Sequence, residues 1–154
     1  MKKFLAILVF AVISINMSAQ SPQLMKKWGM VISAISKVES SGNPKAVSSD
    51  GLYVGYLQIS KILVKQCNIL AGYQKYTYND RYSKEKSIAM FIDYMEEYNP
   101  EGNLEKAIRL WNSGDLKCME RKGRTEAYYQ RVMRQFEKLA AEEHTQQAPS
   151  SEQE

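Results

Sequence analysis

The chain has 154 residues, with 21 Lys and Arg against 17 Asp and Glu, one His and two Cys. That length holds one domain and is too short for two. A net charge of +4 is no nucleic-acid footprint, and two cysteines with one histidine near the C-terminus do not make a metal centre, so neither nucleic acid, metal nor cofactor is expected.

Met1-Lys2-Lys3 followed by the uncharged run Phe4 to Ile15 reads as the basic and apolar regions of an export signal. Ser18-Ala19 offers a small-residue cleavage site before Gln20, although Met17 is larger than the usual choice at its position. The apolar run is too short to span a bilayer comfortably, so no stable membrane span is expected. The expected organisation is a signal peptide over 1–19, one domain over 20–141 and a disordered tail over 142–154. Loss of Lys2 and Lys3 with the signal leaves nineteen basic residues against seventeen acidic, a balance of +2.

Trp28, Val31, Ile32, Ile35 and Val38 recur at helical spacing and predict a first helix with one apolar stripe. Glu39 falls at the end of that stripe, on the core-facing side. Burial disfavours a charged carboxyl and raises its pKa, the condition for a carboxylic acid that donates a proton near neutral pH. Helical phase alone equally allows a boundary glutamate with its head in solvent. Ser40-Ser41-Gly42-Asn43-Pro44 ends the helix, Gly42 suiting a left-handed turn and Pro44 barring continuation, so Glu39 stands at a helix-to-loop corner.

Beyond that corner, Ala46 to Val54 with Asp50-Gly51 at its centre predicts a small hairpin. Ile59, Ile62, Leu63 and Leu70 mark a second helix. Tyr73, Tyr76, Tyr78 and Tyr82 then crowd one loop, either stacking on a ligand or pinning the loop to the core. A third helix carries Ile88, Phe91, Ile92, Met95 and Tyr98, and Asn99-Pro100-Glu101-Gly102 separates it from a fourth through Leu104, Ala107, Ile108 and Trp111. A fifth runs through Tyr128, Val132, Phe136 and Leu139. From Glu142 the composition is Glu, Gln, Ser and Pro, too polar to offset its ordering entropy. Export would place Cys67 and Cys118 where pairing is possible, and a bridge over about fifty residues would stabilise the fold by about 4 kcal/mol. Two unpaired thiols, with Cys67 buried beside Leu63, are the alternative.

Four segments, in this order, resemble one family. Glu39-Ser40-Ser41-Gly42-Asn43-Pro44-Lys45-Ala46-Val47-Ser48, Gly55-Tyr56-Leu57-Gln58-Ile59, Leu110-Trp111-Asn112-Ser113-Gly114 and Thr125-Glu126-Ala127-Tyr128-Tyr129-Gln130-Arg131-Val132 look like the motifs of the bacterial lytic transglycosylase domain in the goose-type lysozyme superfamily. The resemblance covers about Lys26 to Val132. Each motif alone has an ordinary explanation as a turn, cap or core aromatic; their ordered recurrence does not.

The resemblance implies a mainly α, lysozyme-like fold (α+β in the lysozyme sense) with a substrate cleft between helices. It implies an exported, monomeric enzyme that cuts the β-1,4 bond between N-acetylmuramic acid and N-acetylglucosamine in peptidoglycan glycan strands. Glu39 is then the catalytic acid and Tyr128 the hydroxyl that orients it. Ser40, Gly55, Tyr56, Gln58, Trp111 and Asn112 are the substrate-binding candidates, Gly55 letting the backbone approach the sugar and the amides of Gln58 and Asn112 suiting hydroxyl and acetamido groups. Family members use one glutamate as acid and then as base, closing a 1,6-anhydro ring without water. Asp50, Asp80 and Asp115 are the loop acids available to a hydrolytic variant, which needs a second carboxylate. A non-catalytic glycan-binding accessory of an envelope-spanning assembly is the alternative outside enzymology. Departures from the pattern are the wider Gly51 to Gly55 interval, Tyr56-Leu57 in place of Leu-Met and Trp111 in place of Tyr, and they bear on subsite preference.

Overall fold

A computed structural model describes residues 17–147. Most of the expected export signal, and the end of the expected tail, lie outside the described residues. Five helices are joined by polar loops around one core: α1 Met17–Ser40, α2 Lys61–Ala71, α3 Lys84–Tyr98, α4 Leu104–Ser113 and α5 Glu126–Gln147. Two 3₁₀ turns, Tyr78–Tyr82 and Lys122–Thr125, precede α3 and α5. The one sheet among the described residues is antiparallel, β1 Tyr53–Val54 on β2 Ile59–Ser60. No helix among them is long and apolar enough to cross a membrane.

The helix ends follow from their cap residues. α1 stops where Ser41 and Gly42 turn left-handed (φ +55° and +80°), and the Gly42 N–H reaches back to the Ser36 carbonyl at 3.1 Å. α2 and α4 each begin on a side-chain cap, Ser60 accepting from the Leu63 N–H and Asn103 from the Lys106 N–H. The stop between α3 and α4 is tied shut by Asn99, whose amide donates to the Asn103 carbonyl at 2.8 Å and accepts from its N–H at 3.1 Å.

Trp28, Val31, Ile32 and Ile35 of α1 meet Met90, Phe91 and Met95 of α3, Ile108 and Leu110 of α4, and Val132 of α5 in the core. α1 packs most extensively along α5. That pairing brings the C-terminal end of α1 against the first turns of α5, across eighty-nine residues of sequence between Glu39 and Tyr128.

The expected small hairpin is present: Val47 bridges Val54 in antiparallel fashion, with the Ser48 N–H donating to the Tyr53 carbonyl at 2.9 Å and the Gly55 N–H to the Ala46 carbonyl at 2.7 Å, and the chain then adds the β1–β2 pair. Strands two residues long carry no alternation by which a register can be read. Two other regions refine the expectation. α5 continues past Ala141 to Gln147, with Glu142 to Gln146 exposed, so backbone hydrogen bonding extends the helix where packing does not. Cys67 and Cys118 are both buried, free thiols. The Cys67 Sγ lies 3.7 Å from the Met90 carbonyl, and desolvation pushes its pKa up to about 12, so it behaves as a small apolar residue.

Candidate active site

A cleft of about 700 Å³ opens between the β1–β2 segment and the α1, α2 and α4 ends, with Glu39, Gln58, Tyr53, Trp111 and Asn112 on its wall. Glu39 reaches it because α1 ends one residue later, leaving the last core-facing position at the border of core and cleft. Burial raises the carboxyl pKa above the usual carboxylate value, opposed more weakly by the Tyr128 hydrogen bond and the nearby Arg131 charge. The Tyr128 hydroxyl donates to Glu39 Oε1 at 2.7 Å, and its own pKa is raised by burial and by the carboxylate it faces. With Oε1 taken, Oε2 is the oxygen left to carry a proton. The Arg131 guanidinium stands 5.6 Å from the centroid of the Tyr128 ring and completes the group.

Across the cleft, Gln58 occupies a left-handed backbone position (φ +51°) and its amide donates to the carbonyls of Gly55 at 3.1 Å and Ala46 at 3.4 Å. A non-glycine residue held there costs about 1 kcal/mol or more, which the two side-chain bonds offset. The same two bonds hold the Gln58 side chain in place on the cleft wall. Trp111 packs on Phe91 and Tyr94 (ring centroids 5.0 and 6.5 Å), presenting a braced aromatic surface beside the exposed Asn112 amide. The far end is lined by Tyr98 and Gln66, joined at 2.7 Å from the Gln66 amide to the Tyr98 hydroxyl.

The structure thus brings Glu39, Gln58, Trp111 and Asn112 to one cleft, with Tyr128 directly behind the acid. Three expected substrate contacts are not on its wall. The missing side chain of Gly55 faces the protein: a Cβ there would sit 1.8 Å from the Arg81 carbonyl oxygen, and φ is +84°. Tyr56 is buried, its ring covered by Lys84 at 5.1 Å. The Ser40 hydroxyl donates to the Tyr56 carbonyl at 2.8 Å and approaches the Ser36 carbonyl at 3.2 Å, so it ties α1 to the loop that carries Gln58. These residues build the wall from behind.

Sequence reasoning missed Tyr53, Tyr94, Tyr98 and Gln66, which line the cleft without belonging to a motif, and gave no role to Ser48, the last residue of the first segment, which also lines it. Arg131 stood inside the fourth motif and had no role assigned. The four loop tyrosines are absent from the cleft; Tyr76 is buried, its hydroxyl donating to Asp93 at 2.7 Å beside the Lys75–Asp93 ion pair.

One desolvated glutamic acid with a tyrosine at its back stands in an aromatic and amide-lined cleft of a mainly helical, lysozyme-like fold. Residues 15–133 match the Transglycosylase SLT domain, and the chain belongs to that family. Membership brings lytic-transglycosylase-type activity on peptidoglycan in general. No curated protein and no solved structure matches the chain.

Proposed function

We propose that this chain is an exported peptidoglycan lytic transglycosylase that cleaves the bond from N-acetylmuramic acid to N-acetylglucosamine and leaves a 1,6-anhydromuramic end, with Glu39 as acid and then base. The observation that carries this reading is that Glu39 is the one carboxylate on the cleft wall among the described residues, partly desolvated and held by Tyr128. Protonated Oε2 gives its proton to the glycosidic oxygen as the C1–O bond breaks, and the N-acetylglucosamine hydroxyl departs. The resulting Glu39 carboxylate is stabilised by the Tyr128 hydroxyl and the Arg131 charge. It then takes the proton of the muramic acid C6 hydroxyl while O6 bonds to C1, which returns the acid to its starting state. The attacking oxygen belongs to the bound sugar, so its effective concentration is high and no water enters.

A water-using glycosidase of the two-carboxylate kind requires a second carboxylate in the cleft. Asp50 is held in a turn by Ser48 and the Leu52 N–H, Asp80 caps a 3₁₀ turn at Thr77, and Asp115 is bound by the Lys117 N–H and Arg121; none lies on the wall. Export rests on the basic and apolar pattern of residues 1–15. Mass spectrometry of sacculi digested by the wild type and by Glu39→Gln tests the assignment. Anhydro-ended fragments from the wild type alone are expected; equal release by both proteins would refute it.

A further inference from the structure

Beside the cleft lies a smaller hollow of about 230 Å³, walled by Asn112, Ser113, Asp115, Arg121, Arg124 and Thr125 with the buried Cys118 at its side. Asn112 and Ser113 belong to both cavities, so the hollow opens off the same wall that carries the candidate amide contact. Its charges do not cancel. Asp115 accepts from the Lys117 N–H on Oδ1, and its Oδ2 meets Arg121 at 3.1 Å and Arg124 at 4.0 Å. Two guanidinium groups thus share one carboxylate, and the Arg124 side chain, 73 % exposed, has no hydrogen bond to it. The planar donor fork of arginine matches a carboxylate in two parallel bonds, whereas neutral sugar hydroxyls gain little from it.

A glycan of N-acetylglucosamine and N-acetylmuramic acid carries carboxylates only on the lactyl group of muramic acid, either free or extended into an acidic peptide. We infer that Arg121 and Arg124 form an anion subsite that binds a carboxylate of that muramic substituent and so favours substituted strands over plain N-acetylglucosamine polymer. This rests on the peptidoglycan reading above and deepens it. The hollow sits beside Asn112 rather than beside Glu39, so the arginines select and orient the strand and take no part in proton transfer.

The test uses the Glu39→Gln chain, which would hold ligands uncut, and calorimetric binding of three oligomers of equal length: peptide-bearing glycan, amidase-stripped glycan with free lactyl carboxylates, and N-acetylglucosamine oligomer. Adding Arg121→Gln and Arg124→Gln together should weaken carboxylate-bearing ligands about ten-fold relative to the N-acetylglucosamine oligomer, the size of one lost charge-assisted contact. A loss confined to the peptide-bearing oligomer assigns the peptide carboxylates, a loss confined to the stripped oligomer assigns the free lactyl carboxylate, and a loss on both shows that the arginines accept either. Asp115→Asn, which removes the competing charge and keeps the oxygen that accepts from Lys117, should tighten the same ligands several-fold. A double variant that binds all three as its parent does, or loses all three equally, overturns the subsite. A parent that binds none of them overturns the peptidoglycan reading, and the subsite with it.

Discussion

The segment Gly55 to Gln58 and the segment Trp111 to Asn112 both resemble family motifs, yet they use their residues in opposite directions. In the α4 segment both residues face the cleft, Trp111 braced by Phe91 and Tyr94, and Asn112 exposed with its amide free. In the loop segment only Gln58 does; Gly55 yields its space to the Arg81 carbonyl and Tyr56 fills the core. A motif therefore marks where a wall is built and does not say which side of the wall each residue serves. The side is decided by what packs behind it. α4 has the core at its back, while the loop is wedged against the buried Arg81, whose guanidinium also donates to the Tyr78 and Ile59 carbonyls at 2.9 and 3.1 Å.

Substitutions that separate chemistry, wall-building and contact sharpen this contrast. The largest effect belongs to the acid: Glu39→Gln should lower kcat by about 10²–10⁴-fold. Its stability should change in the opposite sense. The folded Glu39 pKa is raised, so its ionised form costs the fold stability above that pKa, and the cost vanishes as pH falls through the ordinary value of 4.5. Glu39→Gln should therefore melt higher than the wild type near pH 7 and converge with it in acid, as read by thermal melts across pH.

Gly55→Ala comes next and should destabilise the fold by about 3 kcal/mol or more, from a backbone clash added to a left-handed residue. Urea titration checks the loss. An unchanged midpoint with a raised KM would mean that the glycine faces substrate after all.

Tyr128→Phe removes the hydrogen bond that favours the Glu39 carboxylate, so the acid's pKa rises further. The rate should fall about ten-fold through poorer support of the ionised state, while the alkaline limb of the pH–rate profile moves to higher pH. Arg131→Gln should move that limb the same way with a smaller loss, because its charge also lowers the Glu39 pKa.

The smallest effects divide the two amides. Asn112→Ala should raise KM several-fold at unchanged melting temperature, since its side chain is exposed and has no hydrogen-bond partner among the described residues. Gln58→Ala should raise KM and also destabilise by about 1 kcal/mol, because its amide spans the Gly55 and Ala46 carbonyls.

The five helices were legible because each carries an apolar stripe at helical spacing, and that signal is local. Phase placed Glu39 at the polar end of the α1 stripe without deciding between core and solvent, and the ordered motifs singled it out. The cleft's other lining was not. Tyr94 and Tyr98 sit on α3 at spacings that any core-facing helix shows, and Tyr53 depends on a strand register that two-residue strands leave open. Buried Arg81 and the Asp93 contacts of Lys75 and Tyr76 join positions far apart in the chain, where periodicity carries no information. Gly55 was expected to make room for a sugar, and the neighbour that fills the space of its missing side chain is the Arg81 carbonyl, which only the folded chain supplies.

The central claim is that one carboxylate does the work of two because the sugar supplies its own nucleophile. Digesting sacculi in ¹⁸O-enriched water tests it most directly. The account predicts muramic ends that carry no label and are lighter by one water than reducing ends. Labelled oxygen at C1 of muramic acid, formed during the reaction at the rate of glycan release, would contradict it.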